Sequence, residues 1–265
     1  MSVPIALTIA GSDSSGGAGI EADLKTFSAL GVYGACAITA LTAQNTKGVV
    51  AVHDVPAEVV AAQIDAVFAD LDVGAVKIGM LANTQIIDAV AVALDRYRPR
   101  NVVLDPVMIA SSGERLLRED AVSALRGLIR HARVTTPNLP EAAALLDAPP
   151  ARDESEMRSQ AEKLLALGAG AVLIKGGHGG GPESVDLLVE PGRCLRLAAP
   201  RIATKNTHGS GCTLASALAA GLAKGLPLDE AAKQAKTYVN AALAAADRLA
   251  IGAGRGPLHH FHAWW

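Results

Sequence analysis

The run NTHGSGCTLASALAA, Asn206 to Ala220, sets Gly209, Ser210 and Gly211 directly before an Ala- and Leu-rich helical stretch. A glycine turn lets backbone N–H groups converge, and a helix start adds roughly half a positive charge, so an anion, phosphate above all, is favoured there. Cys212 stands where that helix begins. A thiol in such a place has a lowered pKa and is a candidate base or nucleophile; the plainer reading is a small packing residue. A second dense stretch, GSDSSGGAGIEADLKTFSALG from Gly11 to Gly31, follows an apolar run and leads into an amphipathic helix. The order strand, small-residue turn, helix lets the backbone approach a ligand. Lys175 closes the apolar run from Ala171 and precedes Gly176 and Gly177, which puts its ammonium at a strand end beside a turn that a phosphate chain can approach.

These groups need elements to hold them. The chain has 265 residues, half of them apolar, enough for a sizeable core in one α/β domain spanning 1–265. Short apolar runs (Ile5–Ala10, Cys36–Thr42, Ala75–Ile78, Val102–Leu104, Val134–Thr136, Ala171–Lys175) alternate with helical patterns, as parallel strands joined by crossover helices do. Pro56 opens one helix and Asn83 can cap another. ESVDLLVE, PGR and CLRLAA read as a hairpin, so a mostly parallel sheet gains antiparallel strands at one edge. Small or polar residues follow six strands: Gly11-Ser12-Asp13, Gln44-Asn45, Gly79-Met80, Asp105-Pro106, Pro137-Asn138 and Gly176-Gly177. Ligands of parallel sheets sit beyond the carboxyl ends of strands, so these predict one shared cleft.

A net charge of −2 with three Phe, three Tyr and two Trp gives neither the basic field nor the stacking surface of a nucleic-acid binder. Three widely spaced cysteines argue against a disulfide framework or zinc site, and the start MSVPIALTIAGSD reads as neither signal nor membrane span, which points to the cytoplasm.

Taken in order from end to end, GSDSSGGAGIEADLKTFSALG, ITALTAQNTKGV, KIGMLAN, LDPVM, TPNLPEA, LIKGGH, NTHGSGCTL and GPLHHFHAWW resemble the hydroxymethylpyrimidine/phosphomethylpyrimidine kinases of thiamine biosynthesis, in the ribokinase-like superfamily. The resemblance implies a three-layer αβα fold, a homodimer, and use of ATP with Mg²⁺. It implies phosphorylation of 4-amino-5-hydroxymethyl-2-methylpyrimidine to the monophosphate and then to the diphosphate. Pyridoxal kinases and dual-specificity vitamin kinases share the scaffold and are the alternative; KIGMLAN, NTHGSGC and HHFHAWW favour the pyrimidine enzyme. A hydrolase built on His208 and Cys212 lacks a readable third member, and G-S-G-C is not the G-x-S-x-G elbow. A silent pyrimidine-binding module could dispense with Lys175, Asp105 or Cys212, and all three are present.

By that resemblance Gln44 reads the pyrimidine, its amide donating and accepting at once. Gly11, Met80 and Val107 wall the ring. Lys175, Asp105, Asn138, Gly209, Ser210 and Gly211 take the ATP phosphates, and Cys212 with Gly209 and Gly211 is catalytic. Asp105 and Glu141 are the Mg²⁺ carboxylates, Glu141 lying in the N-x-x-E run from Asn138. From the residues alone the plainer readings stay open: Gln44 tying down its loop, Met80 and Val107 in the core, Asp105 in a turn, Glu141 as a first-turn charge. Lys233 and Lys236 stay outside the site. In the sugar kinases of the superfamily an aspartate base holds the position of Cys212; here the first transfer needs a base and the second, onto an ionised phosphate, does not. Many relatives read A-K-S-G after DPVM, whereas Ser111 replaces the lysine here; Ser210 stands where many have threonine. The tail with His259, His260, His262, Trp264 and Trp265 is expected to pack on the body or on a second subunit.

Overall fold

A computed structural model describes residues 3–110, 113–177 and 180–265; Ser111 falls outside them. The described residues form a nine-stranded sheet. Its strands are β1 (Ile5–Asp13), β2 (Tyr33–Asn45), β3 (Gly48–Asp54), β4 (Ala75–Ile78), β5 (Val102–Leu104), β6 (Val134–Thr135), β7 (Val172–Lys175), β8 (Glu183–Glu190) and β9 (Arg193–Pro200). They lie in the order β3-β2-β1-β4-β5-β6-β7-β8-β9. From β2 through β7 neighbours run parallel, and β7, β8 and β9 pair antiparallel as the hairpin reading expected.

The opposite edge carries a strand the sequence did not announce: β3 pairs antiparallel with β2. Every residue of GVVAVHD is exposed or half-buried, so the strand has no alternation of buried and exposed positions to betray it. β1 and β2 also run past their apolar cores into the polar residues that follow, with a register shift between Ala10 and Ser12.

Helices cover both faces. Leu7 and Ile9 of β1 point to one apolar layer with Val60 and Ile64 of α2 (Ala57–Asp70) and Ile86 and Val90 of α3 (Thr84–Tyr97). Ala6 points the other way, with Phe27 of α1 (Gly19–Ala29), Leu214 and Leu218 of α7 (Ser210–Ala223) and Ala231 of α8 (Leu228–Ala244). That alternation is the two-residue period of a strand buried on both faces, and it makes three layers, α, β and α. On the first face lie also α4 (Val122–Leu128), α5 (Leu139–Leu146) and α6 (Glu154–Leu165).

Helix starts differ in a way that matters. Asn83 caps α3 by accepting from the Ile86 amide at 3.0 Å, and Asn138 with Glu141 forms a reciprocal capping box on α5. The start of α7 has no side-chain cap. Gly209 precedes it at φ 81°, where a Cβ would overlap the Gly17 carbonyl, so this turn needs glycine. The Ser210 N–H donates to the Thr207 carbonyl at 3.2 Å, and the Gly211 and Cys212 N–H groups that follow have no side-chain cap.

Candidate active site

A cavity of about 560 Å³ opens beyond the carboxyl ends of the parallel strands. Its walls include Gly11, Gln44, Met80, Asp105, Val107, Asn138, Glu141, Lys175 and the turn Gly209 to Cys212, so the fold gathers in one place every site residue expected from the sequence.

At one end the polar groups are tied together. Burial pushes the Asp13 carboxyl up, but hydrogen bonds from His208 and from the Ser15 hydroxyl and amide outweigh it and hold the pKa at about 2. Asp13 Oδ2 lies 2.7 Å from His208 Nε2 and accepts from the Gly17 and Ala18 amides at 3.1 and 2.9 Å. The same Nε2 is 3.3 Å from Gln44 Nε2. The ionised Asp13 accepts a hydrogen bond from His208 Nε2–H, so that nitrogen has no lone pair for the Gln44 NH2, whose hydrogens remain available to a ligand. Thr42 donates to Gln44 Oε1 at 3.0 Å, and Ser14 ties the Gln44 backbone at 2.8 Å. Gln44 thus holds its own loop through its backbone and presents its side chain to the cavity. Gly11 sits against Met80: a Cβ there would come 3.0 Å from the Met80 sulfur.

The other end is a cluster of charge. Lys175 Nζ lies 2.7 Å from Asp105 Oδ1 and 3.9 Å from Glu141 Oε2, with Thr136 donating to Asp105 at 2.9 Å. Burial pulls the Lys175 ammonium down, but Asp105 and Glu141 more than offset it and raise its pKa. Glu141 is raised well above the carboxylate range by burial, with Asp105 adding like charge against the pull of Lys175. Two buried carboxylates thus share one ammonium. Gly211 adjoins them: a Cβ there would be 3.2 Å from Lys175 Nζ.

Cys212 departs from expectation. Burial pushes its thiol up to about 11; Lys77 and the Gly19 amide work the other way, while Asp23 and Asp105 reinforce the rise. Desolvation in this pocket outweighs the helix start that would lower it.

Three polar pairs had no forecast. Asp13 and His208 are 195 positions apart. Lys77, in the apolar strand AVKI, pairs with Asp23 at 2.7 Å with neither side chain exposed. Lys236 lines the cavity and meets Asp186 at 2.7 Å, whereas Lys233 is an exposed partner of Glu230 and Asp229. A lysine inside a four-residue apolar strand is the sequence signal for Lys77.

The phosphomethylpyrimidine kinase family profile matches residues 13–259. The chain belongs to the phosphomethylpyrimidine kinase family. It is 62% identical over 262 residues, 98% of both chains, to the hydroxymethylpyrimidine/phosphomethylpyrimidine kinase of Rhizobium meliloti. Among solved structures it is similar to the ADP complex of Bacillus subtilis pyridoxal kinase (TM-score 0.92, 37% identity, 99% of each chain covered). The Clostridium difficile phosphomethylpyrimidine kinase gives a TM-score of 0.80 at 45% identity, covering 89% of this chain and 97% of that one. The family and the ribokinase-like fold are those the motifs implied.

The tail of this family member packs on its own body. Leu258, His259 and His260 are buried, while Trp264 and Trp265 stay exposed. His260 Nε2 meets Thr213 Oγ1 at 3.0 Å, and Thr213 donates to the Gly209 carbonyl at 2.8 Å, so the tail braces the glycine turn from behind.

Proposed function

We propose that this chain transfers the γ-phosphoryl group of ATP to the hydroxymethyl oxygen of 4-amino-5-hydroxymethyl-2-methylpyrimidine, and then a second phosphoryl group to the monophosphate. The observation that carries the reading is the uncapped glycine turn at α7 beside Lys175, in a cavity whose wall also presents the Gln44 amide. Backbone N–H groups and one ammonium supply charge stabilisation to a transferring phosphoryl group, and an amide beside Gly11 and Met80 suits a flat aminopyrimidine.

In this reading Gly209, Ser210 and Gly211 hold the phosphates with Lys175 and Asn138, and Gln44, Gly11, Met80 and Val107 hold the ring. Mg²⁺ fits the donor set. Asp105 and Glu141 are buried and under-neutralised by a single ammonium, and Mg²⁺ takes one or two protein carboxylates with waters and phosphates completing its shell. Asp105 and Glu141 would hold the ion, which when bound offsets charge on the phosphates.

Cys212 takes the hydroxymethyl proton in the first transfer, from its thiolate form. With the thiol near 11, that rate climbs with pH towards this value, while the monophosphate step, whose nucleophile is already ionised, stays flat. The charged groups facing the thiol are Lys77, Asp23, Asp105 and Lys175.

We read the chain as one domain acting in the cytoplasm as a homodimer. Three free cysteines suit a reducing compartment, no helix among the described residues is long and apolar enough to cross a membrane, and exposed Val50 and Val52 give the edge strand β3 apolar side chains for a second copy. Likeness to a pyridoxal kinase keeps that activity as the second reading. Product mass analysis with MgATP and either acceptor tests it. Mono- then diphosphorylated pyrimidine with little pyridoxal phosphate is expected; pyridoxal phosphate alone, or a pyrimidine monophosphate that goes no further, would overturn the reading.

A further inference from the structure

A fully buried ion pair lies under the catalytic turn. Lys77 and Asp23 meet at 2.7 Å with neither side chain exposed, and a buried pair of this kind is weak evidence of stabilisation because two charges had to leave water. The surroundings fix it with care. Asp23 Oδ2 accepts from Thr8 at 2.6 Å as well as from Lys77, and Asp23 Oδ1 accepts from Ser216 at 2.6 Å. Thr8 and Lys77 are register partners on β1 and β4. Ser216 stands four residues after Cys212 on α7, so both share one helix face. Lys77 also reaches the cavity wall, its Nζ 2.8 Å from where a Cβ on Gly79 would stand.

We infer that Lys77 is a positioning residue for transfer to the alcohol, its ammonium fixed by Asp23, Thr8 and Ser216 so that a positive charge lies beneath Cys212 when the thiol must be ionised. The inference rests on the reading of Cys212 as proton acceptor. In that step the hydroxymethyl O–H gives its proton to Cys212 Sγ and the oxygen bonds to the γ-phosphorus. The bond from that phosphorus to its bridging oxygen breaks, and ADP leaves with the electron pair. A thiolate in a buried site needs a compensating charge, and Lys77 with the Gly19 amide supplies it against Asp23 and Asp105. Lys175, the other ammonium facing the thiol, already has Asp105 and Glu141 beside it. The second transfer needs no thiolate, so Lys77 acts on one step of two.

The test reads the thiol directly. In a Cys36→Ala/Cys194→Ala background Cys212 is the remaining cysteine, and its alkylation by iodoacetamide is followed against pH. Lys77→Met removes the ammonium alone, and Lys77→Met/Asp23→Asn also removes the opposing Asp23 charge; folding of each is checked by thermal melting. In Lys77→Met the midpoint is expected to move up by about one unit, a tenfold loss of thiolate at fixed pH, and in the double variant by less. The single-turnover alcohol step should slow similarly and the monophosphate step far less. Gly79→Ala, which crowds Nζ from the side without removing either charge, should shift the midpoint in the same direction by a smaller amount, and it decides the matter should the charge variants not fold. An unmoved midpoint in folded Lys77→Met overturns the inference. Cys212→Ala separates the two ideas: equal slowing of both steps would sink the proton-acceptor reading while leaving the alkylation result to judge Lys77 alone.

Discussion

The two ends of the cavity are built on opposite electrostatic plans. At the Gln44 end, Asp13 is surrounded by donors from Ser15, Gly17, Ala18 and His208, and its charge is satisfied within the protein. At the Lys175 end, two buried carboxylates share one ammonium and the glycine turn has no cap, so the charges there wait for a partner. A closed hydrogen-bond network gives shape, which suits recognition of a neutral ring; an unfinished charge cluster gives field, which suits phosphates and a cation.

The sharpest way to break this contrast is at the charged end. Lys175→Met should cut phosphoryl transfer by about 10² to 10³, the scale of losing one preorganised stabilising group, with pyrimidine affinity nearly unchanged; single-turnover kinetics beside equilibrium binding would show it. Equal losses in both would mean that the two ends are not separable.

Acid should reach the charged end through its brace. His260 is buried neutral, its pKa brought down to about 4 from 6.5 by burial and by neighbouring Lys25, His259 and His262. A histidine depressed in the folded state contributes stability that is complete above 6.5 and is lost as pH falls through 4, here up to about 3 kcal/mol. The tail carries the chain's tryptophans, and Trp265 packs on His259 at 4.7 Å, so tryptophan emission followed from pH 7 down should change inside that window. His260→Gln should blunt the change.

Gln44→Leu tests the recognising end. Loss of the amide should cost about 1 to 3 kcal/mol of pyrimidine affinity and leave ATP affinity alone, read by calorimetry with each ligand. A matching fall in ATP affinity would show that Gln44 shapes the whole cleft. The smallest effect expected on stability is that of Asn138→Ala, which opens the capping box of α5 for about 1 kcal/mol, or about 2 to 4 °C in Tm.

Much of this plan was legible before any coordinates. The strand cores, the Asn83 cap, the β8–β9 hairpin and the gathering of polar residues at strand ends are local patterns, set by side-chain period and turn chemistry. The family motifs named the chemistry because each is a short contiguous run. β3 escaped because an edge strand with no buried residue has no alternation to read. Its pairing with β2 depends on a partner strand, not on its own pattern.

The site's electrostatics were illegible for a different reason. A helix N-terminus suggested an acidic thiol at Cys212, but burial among Asp23 and Asp105 carries it the other way, and no local rule counts water that has been excluded. Asp13 and His208, and Lys77 and Asp23, are polar residues with separations of 195 and 54 positions, unremarkable until the sheet brings them together. The sequence by itself determined the elements, the glycine turn and the residue types available at the strand ends, because those depend on neighbours within a few positions. Only the tertiary structure decided which charges are paired, which are left waiting and which protons are held, because Coulomb and desolvation energies depend on distance in space and on depth from solvent.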